Sequence, residues 1–304
     1  MDEIKRAHYE LKFEVEFLKR KGNEFQELFC LVMENRYPSD FIRTRPWGQQ
    51  GDKKNDGYLA SQRRLFQVYA PNELTSALAI TKIDEDFNGA LPHWKQYFDT
   101  WVFVHNARQG LGPDVTQKLL ALQNSNTGIT LIPFGFVELY DELFKLAPDK
   151  IALILGHAPG IKNLIELSFE KLRPVIQAIG QREPNPGTDI RPVPQDKLSH
   201  NKLSSNVEIL LKAGMRKSDL VGGFFEKWHD AGLGDRIANA FTERYNALKQ
   251  SQLSPDMIFD ELHRFAGGGA RGTSDDEAAV LAVLAYFFEE CDIFEAPPGG
   301  LASV

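Results

Sequence analysis

The sequence predicts an α/β domain over residues 1–150, a mixed sheet flanked by helices, followed by an α-helical domain over 151–304. Two observations carry this. Short, near-continuous apolar runs such as Leu65–Ala70 and Trp101–His105 read as strands, alternate with helix-period segments, and stop before residue 150. After residue 150 the periodicity is helical throughout, interrupted only by a segment at 182–196 that holds Pro184, Pro186, Pro192 and Pro194 and reads as a linker-like loop.

Each element has a local reason. Residues 10–35 read as one helix, because Phe25, Leu28, Phe29 and Val32 recur at helical spacing. Tyr37-Pro38 ends it, since the residue before proline is pushed out of the helical region. Residues 41–45 are extended, Trp47–Asp52 form a turn, Asn55-Asp56-Gly57-Tyr58 opens a second extended piece, and Leu65–Ala70 is a third, stopped by Pro71. A helix at 73–90, a strand at 101–105, a helix at 114–124, a strand at 128–133 and a helix at 136–147 complete the α/β part. Beyond it, 151–180 is helical with a break at Gly156–Gly160. Further helices follow at 204–213, 218–230, 235–250, 255–265 and 275–290, with Ser218-Asp219 and Ser254-Pro255 as N-terminal caps. Gly267–Gly272 joins the last two as a flexible connector; without Gly-Lys-Ser/Thr it is not a phosphate-binding Walker loop. No fixed-period repeat occurs.

Composition bounds the function. The chain has 304 residues, a net charge of −7, 42% apolar and 25% charged residues, which excludes collagen-like, disordered and disulfide-stapled classes. Its two cysteines, Cys30 and Cys291, make neither a disulfide framework nor a structural zinc site, and fit a reducing cytosol. The longest apolar run, Ala278–Phe288, is eleven residues, against the roughly twenty a membrane helix needs. With no apolar signal core at the N-terminus, a cytoplasmic protein without a membrane partner is expected. Neither half is strongly basic. However, residues 36–64 concentrate Arg36, Arg43, Arg45, Lys53, Lys54, Arg63 and Arg64 against only Asp40, Asp52 and Asp56, a local patch suited to phosphates.

The chemistry concentrates in Gly51–Tyr58 and Phe66-Gln67-Val68-Tyr69. Phosphodiester hydrolysis needs a divalent cation held by hard oxygen ligands. A carboxylate opening one strand and an amide oxygen on the next meet that need: Asp56 and Gln67. Strand alternation puts Gln67 and Tyr69 on one face. The bland readings are an Asp-Gly turn for Asp56 and a core aromatic for Tyr69. Gln67 is harder to dismiss, because a buried amide must find a partner. The seven histidines have no metal-ligand spacing, and His105, at the end of a strand, reads as a structural histidine. Cys291, at the end of an apolar helix, reads as core.

These residues resemble the PD-(D/E)xK, restriction-endonuclease-like superfamily, closest to its Mrr-type and CBASS-effector-type branch, whose second motif is often Gln-x-Lys. The resemblance implies Asp56 as the metal-binding acid, Gln67 as second ligand, Val68 as carbonyl donor, and Mg2+ or Mn2+ as the cofactor. It implies a glutamate of the first helix, Glu24 or Glu27, completing the site, and Tyr69 standing where the family has its catalytic lysine, with Lys53 and Lys54 the nearest substitutes. Arg43, Arg45, Lys53 and Lys54 are then the candidates for steering a nucleic-acid backbone.

A second resemblance covers the C-terminal half. Lys197–Ser204, Val221-x-x-Phe224-Phe225, Tyr245-x-x-Leu248 and Leu284–Glu295 are similar to C-terminal domains of ABC three-component systems, prokaryotic conflict systems of the Lamassu kind. That resemblance implies an effector working with an SMC-like ATPase and a small middle component. The expectation is a metal-dependent nuclease that cleaves DNA when activated by those partners. The alternatives are a catalytically inactive scaffold or DNA-binding subunit of the same complex, and a stand-alone restriction-like enzyme. The apolar helix at 275–290 suggests a protein–protein interface or the core of a homo-oligomer.

Overall fold

The structure is a computed structural model and describes residues 1–45, 53–180, 197–268, 272–290 and 293–295. The Trp47–Asp52 turn, the 182–196 loop, Cys291 and part of the Gly267–Gly272 connector lie outside the described residues.

The α/β part contains α2 (Gly22–Arg36), following α1 (Glu3–Lys19), then β1 (Phe41–Arg43), β2 (Gly57–Leu59), β3 (Arg64–Tyr69), α3 (Ser76–Trp94), β4 (Thr100–His105), α4 (Pro113–Ser125), β5 (Thr130–Phe134) and α5 (Phe136–Phe144). The expected single helix over 10–35 is in fact two helices. The chain leaves helical geometry at Lys21, Gly22 takes φ +50°, and the Gly22 N–H donates to Ala70 O at 2.6 Å, a partner no local pattern could announce. The five strands form one mixed sheet in the order β1-β2-β3-β4-β5. β1–β2 and β2–β3 are antiparallel, with Gly57 opposite Phe66. β3–β4 and β4–β5 are parallel, with Gln67 opposite Phe103 and Trp101 opposite Leu131.

Strand alternation separates two apolar layers. On one side Phe29 of α2 packs edge-on to Phe41 and Phe134 and against Phe66. On the other, Leu65, Trp101, Phe103 and Leu131 pack under Ala79, Ile83 and Phe87 of α3 and Val115 and Leu119 of α4. Thr75 caps α3, its hydroxyl accepting from the Leu78 N–H.

The remainder is helical: α6 (Pro148–Leu155), α7 (Ile161–Ile165), α8 (Phe169–Gly180), α9 (Lys197–His200), α10 (Ser205–Met215), α11 (Ser218–Lys227), α12 (Leu233–Lys249), α13 (Pro255–Phe265) and α14 (Ser274–Glu289). Ser254 caps α13 as expected, whereas Ser218 is the first residue of α11 and its hydroxyl bonds Glu289 instead. The chain divides into two compact units, Glu16–Ile154, and Met1–Val15 with Leu155–Val304. Residues 1–15, read from sequence with the α/β part, thus group with the helices: Ile4, Ala7, Leu11 and Val15 place the apolar stripe of α1 in the helical core. α14 runs through the centre of that core, with every residue from Ala278 to Ala285 at most 1% exposed. The apolar run that suggested a dimer core is therefore the interior of its own unit.

Candidate functional site

The site begins where β1 and β2 part. Asn55 is fully buried. Its amide nitrogen donates to Thr44 Oγ1 at 2.9 Å and its Oδ1 accepts from the Gly57 N–H at 2.9 Å, so the residue before the aspartate is held from both strands. Asp56 follows with its own N–H bonded to Phe66 O at 2.9 Å. Its Oδ2 accepts from the Val68 N–H at 2.7 Å, in the place where the β2–β3 ladder would otherwise end on an unpaired donor. Its Oδ1 accepts from Gln26 Nε2 of α2 at 2.7 Å. The carboxylate is buried, and each of its oxygens accepts a hydrogen bond from within the unit.

Gln67 is 5% exposed, and its Oε1 is buried without a hydrogen-bond partner. It alternates with Leu65 and Tyr69, so its side chain leaves β3 on the side covered by α3. Tyr69 is half-buried, its ring 6.1 Å from that of Phe103. Thus Gln67 and Tyr69 share a face as the alternation predicts, while the Asp56 carboxylate reaches toward α2 at the strand edge.

The other expected residues are distributed as follows. Glu24 is exposed in the first turn of α2. Glu27 forms a two-pronged pair with Arg43, which holds the Glu27 carboxyl below and the Arg43 guanidinium above their ordinary values. Arg43 is therefore occupied by a carboxylate rather than open to phosphate. From α2 it is Gln26, a residue sequence reasoning passed over, that touches Asp56. Arg45 and Lys53 are exposed. Lys54 pairs instead with Asp86 of α3 at 2.9 Å. Asp86, also missed, is fully buried and receives Lys82 as well; its signal was an acid set between Ile83 and Phe87 on the core-facing stripe of α3.

Two buried groups nearby do not supply chemistry. Burial pushes the Cys30 thiol up to about 12, so it is no thiolate nucleophile. Burial lowers His105 to about 4; its Nδ1 accepts from the Ala107 N–H at 3.2 Å, and the ring is held as a neutral structural group.

A hard divalent cation suits the donor types present: the Asp56 carboxylate, the Gln67 amide oxygen and the Val68 carbonyl. The partnerless Gln67 Oε1 is the atom that such a cation would satisfy. Among the described residues no three of His, Cys, Asp and Glu gather as a metal centre, so the amide and main-chain oxygens are essential to any such site.

Residues 170–295 match the family described as C-terminal domain 10 of the ABC-three component (ABC-3C) systems. The helical part is similar to a C-terminal domain of that kind over those residues; the match includes none of the α/β unit. No curated protein and no solved structure matches the chain. No helix among the described residues is long and apolar enough to cross a membrane.

Proposed function

We propose that the chain is the effector subunit of an ABC-3C antiviral defence complex, and that its α/β unit is a metal-dependent nuclease that cleaves DNA once the SMC-like ATPase and the small middle component activate it. The match of residues 170–295 supports the system. The observation that carries the nuclease reading is the buried Gln67 Oε1 without a partner, because leaving such an atom unpaired costs about 1–3 kcal/mol and a site that keeps it has a use for it.

Asp56, Gln67 and the Val68 carbonyl would hold Mg2+ or Mn2+. When bound, the cation supplies a more acidic water and neutralises charge on the phosphate. The chain's own contribution is orientation. Gln26 Nε2 and the Val68 N–H fix both oxygens of Asp56 and prevent the carboxylate from rotating away. Asn55 locks the turn that presents it. Arg45 and Lys53, exposed at the mouth of the same strands, meet the DNA backbone.

The test is cleavage of plasmid and linear DNA by the full chain with its partner components in Mg2+ or Mn2+. Asp56→Ala should lower cleavage by about 100-fold, at the upper end for losing a metal-supporting group. Partner-activated cleavage that survives Asp56→Ala would sink the reading.

A second reading rests on Asp56 having both oxygens already bonded within the protein and on the uncharged Tyr69. In that reading the unit is a nuclease-fold assembly or DNA-binding subunit. Metal-independent DNA binding without cleavage under any condition supports it, and cleavage gained by Tyr69→Lys would show a scaffold that had lost its catalyst.

A further inference from the structure

Lys53 and Lys54 are consecutive side-chain-bearing residues in the left-handed region, with φ of +53° and +61°. Two such residues in succession are disfavoured, and they persist only where the surroundings over-determine them. Three contacts, all from α3, do so here. Trp94 Nε1 donates to the Lys53 carbonyl at 3.1 Å. Gly89 leaves room for the Lys54 stem: a Cβ at that position would stand 2.9 Å from Lys54 Cγ. Lys54 Nζ lies 2.9 Å from Asp86 Oδ1, and Lys82 Nζ lies 2.9 Å from the same oxygen.

Asp86 is fully buried, and its second oxygen, Oδ2, has no hydrogen-bond partner. The two lysine side chains remain 38% and 30% exposed. One carboxylate therefore faces two ammoniums, both of them partly exposed to solvent. A single surface ion pair would be neutral and mobile. Here a buried carboxylate fixes two cations side by side, and the fixed pair presents donors without the entropy cost of gathering two free lysines. The cluster lies on the α3-covered side of the sheet, the side from which Gln67 and Tyr69 project.

We propose that Lys54 and Lys82, clamped by Asp86, form a binding site for the phosphodiester backbone of DNA, with Lys54 supplying on this face the positive charge that Tyr69 lacks. Asp86 is a positioning residue. The site deepens the nuclease reading and rests on it for the fate of the bound phosphate; binding itself is measured without metal, so the two stand or fall separately.

The experiment follows the anisotropy of a labelled DNA duplex with the full-length chain in EDTA over a series of salt concentrations, with circular dichroism confirming that each variant is folded. Lys54→Ala and Lys82→Ala should each weaken binding and flatten the slope of log affinity against log salt by about 0.9, the value for one phosphate contact. Asp86→Asn separates a clamp from a diffuse field. It makes the chain more positive, so a field alone predicts tighter binding, whereas the clamp predicts binding several-fold weaker. Gly89→Ala changes no charge but crowds the Lys54 stem, and should also weaken binding; it decides the matter if Asp86→Asn does not fold. Wild-type affinity and slope in both lysine variants, tighter binding by Asp86→Asn, or no DNA binding by the wild type would overturn the proposal. Cleavage that depends on Asp56 but not on Lys54 or Lys82 would leave the nuclease reading standing without this site.

Discussion

In the helical unit, Lys12 pairs with Asp260 and His263 stands 3.1 Å from Glu277 without a hydrogen bond, whereas in the α/β unit Gln67 Oε1 and Asp86 Oδ2 are buried without a hydrogen-bond partner. Lys12 Nζ of α1 donates to Asp260 Oδ1 of α13 at 3.0 Å, and Arg264 approaches the other oxygen of Asp260 at 3.4 Å. His263 Nε2 and Glu277 Oε2 stand 3.1 Å apart, close enough to pair although off the hydrogen-bond line. His8 stacks edge-on against His263 at 5.6 Å. These groups join α1, α13 and α14. In the sheet unit Asp86 still meets two lysines through its other oxygen, so the Gln67 amide oxygen is the acceptor there that no described residue bonds. The difference separates an ion pair that fixes how helices meet from an amide oxygen left without a hydrogen bond on a strand.

The largest effect should come from opening the closed network. Asp260→Ala leaves Lys12 buried without its carboxylate and should cost about 3–5 kcal/mol in denaturant unfolding. A loss below about 1 kcal/mol would mean that the pair is solvated and that the contrast between the units is false.

The next effect is in acid. Burial, with the neighbouring His263 imidazole second, lowers His8 to about 3; burial lowers His105 to about 4. Both are neutral in the folded chain at pH 7, while the unfolded chain takes up protons below its ordinary value of 6.5. Stability is therefore whole above that value and falls as the pH drops, toward about 4 for His105 and about 3 for His8. Each site should contribute a slope of up to about 1.4 kcal/mol per pH unit. Unfolding measured between about pH 6.5 and 5, before most carboxylates titrate, should lose one proton of pH dependence in His8→Gln and one in His105→Gln. An unchanged slope in either variant would show that its imidazole is already charged in the native chain.

The smallest effect has the opposite sign. Gln67→Met keeps the volume and removes the unpaired oxygen, so the isolated chain should gain about 1 kcal/mol while metal-dependent cleavage is lost. A loss of stability would show that the amide is satisfied in the folded protein, and would turn Gln67 from a ligand into a core residue.

Much of the fold was legible because its causes are local. Trp101–His105 is buried on both faces as the central parallel strand β4, and its unbroken apolar run said so. Ser254-Pro255 marked the start of α13 because a hydroxyl cap and a proline at the first turn act within a few residues. The gap between α1 and α2 was not legible, since the Gly22 N–H turns out of the helix to reach Ala70, just past the end of β3 and far along the chain. The site divides in the same way. Asp56 and Gln67 stood out by type and spacing. Gln26 and Asp86 did not, because each looks like an ordinary helix residue until its partner is known.

By itself the sequence determined most of the strands and helices, and that the chain changes from α/β to all-helical near residue 150. Only the tertiary structure decided what each charge does. Arg43 is taken by Glu27, Lys54 is drawn to Asp86, Asp56 is held by Gln26 and Val68, and Gln67 alone keeps an open oxygen in that strand. The reason is physical. Periodicity and capping act over one or two turns and are written in neighbouring residues, whereas the role of a buried polar atom depends on which donor or acceptor the folded chain brings within about 3 Å.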